Sequence, residues 1–267
     1  MGSVFFPMYD VLAIRGLTQR WAELLAGGLA QRGLGAGARE VYWPTDLESA
    51  WRDPDLLLSQ CCGYAIAFDE PAGLDVLAVP AYDFPGCEGP NYRSVLLVRE
   101  DEKGESLSEF RGTKFAYNQK NSHSGYTVLR HELAKIQATS PSFFSKAFAT
   151  GSHAASIAAV QKKDADLSCV DCVSYGLLKR HCPDSVEGLR VLAWSDSSLA
   201  LPYVTSERYA SFRRLLLEIL EYAFSTPEHR ELRAELGLVG FFSKRNSDFQ
   251  SHRVMAQNAT NTGVTGL

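Results

Sequence analysis

The sequence predicts an α/β protein built as two lobes. Three observations carry that reading. Short apolar runs alternate with helical patterns along most of the 267 residues, the arrangement expected of strand–helix–strand units with largely parallel sheets. A chain of that length can bury one large core or two smaller ones. A charged stretch, "EDEKGESLSEFRG" from Glu100, interrupts the alternation and reads as a boundary.

The elements follow in order. "SVFFPMY" reads as a strand. Residues from Leu12 to about Arg32 read as a helix, with Leu12, Leu17, Trp21, Leu24 and Leu25 roughly on one face. "EVYW" is a predicted strand, and "TDLESAWRD" a short helix with Thr45 as its N-cap. "DLLLSQCC", "DVLAVPAY" and "NYRSVLLVRE" are strands, the last two separated by the turn-rich "DFPGCEGP". Beyond the charged boundary the alternation restarts. "TKFAYN", "KAFAT", "DLSCVDC", "LRVLAWS" and "PYVTS" are strands. Helices are expected from Gly125, over "HAASIAAVQKK" and over "VSYGLLKRH". The longest predicted helix runs from Glu207 to about Ser225. Another, "TPEHRELRAELG", has Thr226 as cap, Pro227 in the first turn and Gly237 past its end. Residues from about 243 to 267 are polar and are expected to form a loose tail.

Composition excludes several classes. Apolar residues make up 45% and charged residues 22%, ordinary values for a globular protein. Net charge is -4 and no basic block exists, which argues against nucleic acid as a partner. No apolar stretch is long enough to span a bilayer. The first residues lack the pattern of an export signal, so the sequence as it stands reads as cytoplasmic, and as periplasmic if a leader has been removed. Its six cysteines then read as reduced thiols.

Three strand-to-helix turns carry polar chemistry. "NQKNSHSGY" places Ser122, His123, Ser124 and Gly125 at the mouth of a helix. A helix N-terminus presents unpaired N–H groups and a partial positive charge, which suits an anion. Glycine allows backbone to approach a ligand closely, and the serine hydroxyls add donors. Simple capping by Ser122 or Ser124 is the competing reading. "FATGSHAASIAAV" puts His153 at the start of another helix, either donating to an anion or simply solvated. "LSCVDCVSYG" puts Asp171 at a strand end, as a cap or as acceptor for a protonated oxyanion or an amine. Ligands of open α/β sheets bind outside the carboxyl ends of strands, which is where all three turns fall.

With those turns in place, the sequence resembles the phosphate/phosphite/phosphonate-binding components of ABC importers. The matching text is "LSEFRGTKFAYNQKNSHSGYTVLRHEL", "AFATGSHAASIAAVQKKDADLSCVDCVSYGLL" and "LRVLAWSDSSLALPYVTS". Upstream, "PMYD", "DLLLSQCCGY" and "PAYDFPGCEGPNYRSVLLVRED" also fit, so the likeness extends from Phe6 to about Gly240. The resemblance implies a two-lobed type 2 periplasmic-binding-protein fold with a hinge of two crossing strands, "SVLLVRE" and "LRVLAWS". Lobe one would comprise residues 1–98 and 196–267, and lobe two residues 99–195. It implies a transport protein that binds a small tetrahedral oxyanion in an interlobe cleft, with no cofactor. An ABC permease would be its partner if the protein is exported.

By that resemblance Ser122, His123, Ser124 and Gly125 form the anion turn, with His153, Asp171 and Tyr92 beside it. His123 departs from the family, which often has threonine there. Tyr9, Gln60 and Cys61 are weaker carry-overs from strand ends of lobe one. The alternative is a cytosolic enzyme of the same fold acting on a small anionic metabolite, but the sequence offers no convincing acid–base pair. Cys169 and Cys172, with His181 and Cys182 downstream, invite a zinc reading. Residues three apart on a strand point to opposite faces, so the thiols read instead as small apolar side chains. No phosphate loop of the G-x-x-x-x-G-K-[ST] type occurs.

Overall fold

A computed structural model describes residues 2–9, 11–34, 41, 43–69, 72–138 and 143–267. The chain forms two compact units. One comprises Met1–Asp83, Glu88–Asn91 and Leu199–Gln250, the other Phe84–Cys87, Tyr92–Ser198 and Ser251–Leu267.

In the first unit a five-stranded sheet has the order Ser3–Phe5, Leu56–Gln60, Tyr203–Ser206, Leu74–Tyr82, Leu238–Ser243. Only the first pair is parallel, and the rest are antiparallel. Leu56–Gln60 is buried throughout, as a continuous apolar run requires. The helices Arg15–Gln31 and Arg213–Ser225 pack on each other. Their contact includes the Trp21 and Phe224 rings, with centroids 5.2 Å apart. Trp21 Nε1 donates to the Tyr203 hydroxyl at 3.1 Å, which satisfies the one polar group its burial would otherwise strand.

In the second unit the order is Lys146–Ala149, Lys114–Tyr117, Leu167–Asp171, Ser94–Arg99, Leu189–Trp194. The first three strands run parallel, and Ser94–Arg99 lies antiparallel between its two neighbours. The core beneath gathers Phe115, Leu129, Leu133, Phe144, Ala259 and Val264.

The sheets are thus mixed rather than largely parallel. Parallel pairs occur where a helix returns the chain to the same end of the sheet. Tyr203–Ser206 and Ser94–Arg99 reach their sheets without such a crossover and run the other way. Of the expected "EVYW" strand, Glu40 and Tyr42 lie outside the described residues, and Val41 and Trp43 are not in a strand. The "LESAW" helix is capped by Asp46, not Thr45: its carboxylate accepts from Ser49 N at 3.1 Å. The predicted Glu207–Ser225 helix begins as a 3-10 segment, Glu207–Phe212, before the α-helix Arg213–Ser225.

The division of the chain also differs from the expected 98/99 and 195/196. Ser94–Arg99 pairs with two strands of the second unit and belongs to it. The charged stretch from Glu100 lies inside that unit, because its charges are used locally. Arg99 donates to Glu102 Oε2 at 3.4 Å and lies 3.8 Å from Asp101 Oδ1, Ser106 N donates to Glu109 Oε1 at 3.0 Å, and Arg190 donates to Glu102 O at 2.9 Å. The polar C-terminus is not a loose tail. Gln250–Asn261 is a helix, with His252 and Ala259 fully buried.

Candidate functional site

The three parallel strands of the second unit deliver three turns to one edge of its sheet. Tyr117 is registered against Ala149, and Phe115 against Leu167, so their carboxyl ends align. The turns are also bonded to each other. Thr150 N donates to Tyr117 O at 2.8 Å and Gly151 N to Asn118 O at 2.9 Å.

The first turn opens with five residues of π-helix, His123–Thr127, before the α-helix Val128–Lys135. Thr127 N reaches back five residues to Ser122 O at 3.1 Å. Such wide turns are rare and recur at functional sites. Ser122 is the N-cap, its hydroxyl accepting from Gly125 N at 3.1 Å. Helix geometry leaves the earlier N–H groups, those of His123 and Ser124, with no acceptor inside the helix. Gly125 is required by space. A Cβ there would lie 2.0 Å from Asn118 Oδ1 and 3.3 Å from the His153 ring.

Ser124 is the centre of the constellation. Its hydroxyl lies 3.0 Å from His153 Nε2, and that nitrogen lies 3.2 Å from Asp171 Oδ2. Its carbonyl accepts from Ser94 Oγ at 3.0 Å and from Cys169 Sγ at 3.1 Å. Ser122, Ser124 and Asp171 are buried. Burial holds the His153 imidazole below its usual range, while the Asp171 carboxylate opposes that shift. The ring is therefore neutral at pH 7 and carries one N–H. An ionised carboxylate only accepts, so the proton sits on Nε2, facing Asp171 and Ser124. His153 Nδ1 has no partner among the described residues. With Nε2–H donating, the Ser124 hydroxyl keeps its own hydrogen for another acceptor. Asp171 also caps the following helix, its Oδ1 accepting from Ser174 N at 2.7 Å.

The His123 side chain is held on other partners. Its Nε2 lies 2.8 Å from Ser198 Oγ, whose hydroxyl reaches Met255 Sδ at 3.6 Å. Its ring rests on His252, with centroids 3.9 Å apart. Burial, with His252 and His131 nearby, holds the His123 imidazole well below its usual range, so it is neutral. An ion-paired group sits behind it. His131 Nε2 and Lys135 Nζ meet the two carboxylate oxygens of Asp196 at 3.1 and 2.9 Å, and Glu132 Oε1 accepts from Asp196 N at 2.7 Å.

Of the sequence-predicted residues, the structure brings together Ser122, Ser124, Gly125, His153 and Asp171, with the His123 backbone. Tyr92 is buried in the same unit, two residues before Ser94. Tyr9, Gln60 and Cys61 belong to the first unit. There Gln60 Nε2 donates to Leu201 O at 3.0 Å and to the Tyr82 hydroxyl at 3.2 Å, and the Tyr9 ring meets Tyr82 edge-on at 5.6 Å. Cys61 is buried, and burial pushes its thiol up. Ser94, Asn118 and Ser198 were not legible as site neighbours. Ser94 stands 30 residues from Ser124 and sits in an ordinary strand pattern. The strand alternation expected of Cys169 and Cys172 does not apply, since Cys169 lies in the strand Leu167–Asp171 and meets Ser124 O whereas Cys172 opens the next helix and meets Cys87. No group of residues able to hold a metal occurs among the described residues.

A family model described as "ABC transporter, phosphonate, periplasmic substrate-binding protein" matches residues 54–249, about three quarters of the chain. No curated protein sequence matches. Solved structures do. A binding protein component of an ABC phosphonate transporter from Pseudomonas aeruginosa is 18% identical over 98% of this chain and 87% of that one, with a TM-score of 0.78. PhnD1 from Prochlorococcus marinus, solved in complex with methylphosphonate, is 15% identical over 97% and 98% of the two chains, with a TM-score of 0.77. A Xanthomonas citri protein solved bound to ATP is 15% identical over 98% of both chains, with a TM-score of 0.70. At such identities the structures speak for the fold alone, whereas the family match speaks for kinship. This chain belongs to the phosphonate-binding family of ABC-transporter substrate-binding proteins, a family of solute binders rather than enzymes.

Proposed function

We propose that the protein binds a small tetrahedral oxyanion (phosphate, phosphite or the head group of a phosphonate) at the Ser122–Gly125 turn of its second unit, and that it hands this ligand to an ABC permease. The observation that carries the reading is the chain from Ser124 through His153 to Asp171 at the mouth of a buried helical turn. Backbone N–H groups at that mouth meet anion oxygens, assisted by the helix dipole. The Ser124 hydroxyl donates its free hydrogen to one of them. His123 contributes through its backbone, since its ring is engaged with Ser198 and His252.

Asp171 sets the selectivity. A carboxylate beside the site repels a fully ionised ligand and accepts from one that still carries a P–O–H proton. Sulfate carries no proton near neutral pH and is disfavoured. A thermal-shift panel of phosphate, phosphite, methylphosphonate and sulfate tests this. A phosphorus oxyanion raises the melting temperature in the wild type and raises it less in Ser124→Ala. Uniform silence across the panel, or an equal shift with sulfate, contradicts the reading.

A further inference from the structure

Outside the anion turn, two thiols of the second unit stand in contact. Cys87 Sγ lies 3.4 Å from Cys172 Sγ, although 85 residues separate them in sequence. Cys87 ends the short Phe84–Cys87 segment, and Cys172 opens the helix directly after Asp171. The surrounding packing fixes this meeting. Phe84 lies so close over Gly176 that a Cβ there would stand 2.3 Å from its ring. Arg180 covers the same ring at 4.4 Å. Gly86, at φ 91°, brings the backbone against Trp194 and within 3.2 Å of the Cys172 Cβ, measured from the position its own Cβ would take. Phe84 and Gly86 thus clamp the segment onto the helix that carries Cys172.

We propose that Cys87 and Cys172 are a disulfide-forming pair that takes a small-molecule disulfide such as oxidised glutathione as its oxidant, pinning the Phe84–Cys87 segment to the helix behind Asp171. Bonding needs the sulfurs to close by about 1.4 Å, from contact to the S–S bond length. Cys87 is half-buried and Cys172 buried, so the exposed oxidant meets Cys87 first. The Cys87 thiolate attacks the oxidant's S–S bond, forming a mixed disulfide and releasing one glutathione thiolate. Cys172, deprotonated, then attacks the Cys87 sulfur and releases the second. Two thiol protons leave the protein, and its two electrons reduce the oxidant to two thiols. The hydrogen bond with Cys172 and burial both hold the Cys87 thiol far above its usual range, and the Asp171 charge adds to this. Exchange is therefore slow at neutral pH and quickens as pH rises.

The test is to incubate the whole protein with excess oxidised glutathione at about pH 8.5, then count thiols, weigh the intact protein and map non-reduced peptides. The wild type loses two of its six thiols, loses two hydrogens in mass, keeps no glutathione and yields a Cys87–Cys172 linked peptide. Dithiothreitol restores all six. Cys172→Ala stops at the mixed disulfide, with glutathione retained on Cys87. Retention of glutathione by the wild type, linkage of other cysteines, or six thiols persisting after prolonged oxidation overturns the proposal. None of these readouts depends on anion binding.

Discussion

Ser124 is the residue on which the proposed anion site turns. A hydrogen bond to a charged group is worth about 1.5–3 kcal/mol, so Ser124→Ala should weaken anion binding at least about tenfold while leaving the fold intact. Gly125 is the steric partner of that chemistry. In Gly125→Ala the new Cβ meets Asn118 Oδ1, and overpacking of this kind costs about 1–3 kcal/mol. Denaturant titration should show that loss, and binding should fall with it.

His123 and His153 give a pH dependence with a definite sign. Both imidazoles are held below the ordinary 6.5 by burial, and His123 by His252 and His131 as well. The unfolded chain takes up protons near pH 6.5 while the fold keeps these rings neutral. Their contribution to stability is therefore complete above pH 6.5 and is lost as pH falls towards their folded values. The melting temperature should drop between pH 7.5 and 5.5. His123→Gln, which cannot titrate, should drop less. An equal drop in both would remove His123 from the account.

At the scale of elements, the C-terminal helix is the clearest case of structure hidden in a sequence. Gln250–Asn261 buries His252 and Ala259, with Met255 packed alongside. Histidine, methionine and alanine do not look like an apolar stripe, so the segment reads as a tail. Arg130 ties it down by donating to Val264 O at 2.7 Å, a contact 134 residues long that no local pattern reveals. Ending the chain at Gln250 would uncover His123 and remove Ala259 and Val264 from the core. The burial lost amounts to about 2–4 kcal/mol, and urea titration of the truncated protein should show it. The strand Leu238–Ser243 is hidden differently. It is an edge strand containing Gly240 and leaving Val239 and Phe242 exposed, so it lacks the alternation that marks a half-buried strand.

The Lys114–Tyr117, Lys146–Ala149 and Leu167–Asp171 strands were legible for the opposite reason. Each is a short apolar run followed at once by small polar residues and a helical pattern. Sequence order alone then puts Ser122, His153 and Asp171 at strand ends. What it cannot supply is that the Ser124 side chain, rather than that of His123, faces His153. That depends on the phase of the π-turn, which rotates His123 to Ser198 and the next side chain, Ser124, to His153.

For the whole molecule, family kinship was readable from motif order and spacing, while the route of the chain was not. Each unit is assembled from three separate stretches. The charged segment from Glu100, which reads as a boundary, is held inside one unit by Arg99 and Arg190, both of which donate to Glu102. A ligand that binds only the folded state stabilises the whole chain by mass action, by about 2.7 kcal/mol at one hundred times its dissociation constant. Methylphosphonate or phosphate at that excess should therefore shift the entire unfolding transition.

Calorimetric titration of phosphate and methylphosphonate into the wild type and Ser124→Ala tests the central claim most directly. The account predicts saturable binding of at least one of them at one site per wild-type chain, weakened about tenfold or more in a variant whose circular dichroism is unchanged. Absence of binding by either anion, or equal affinity in wild type and variant, would contradict it.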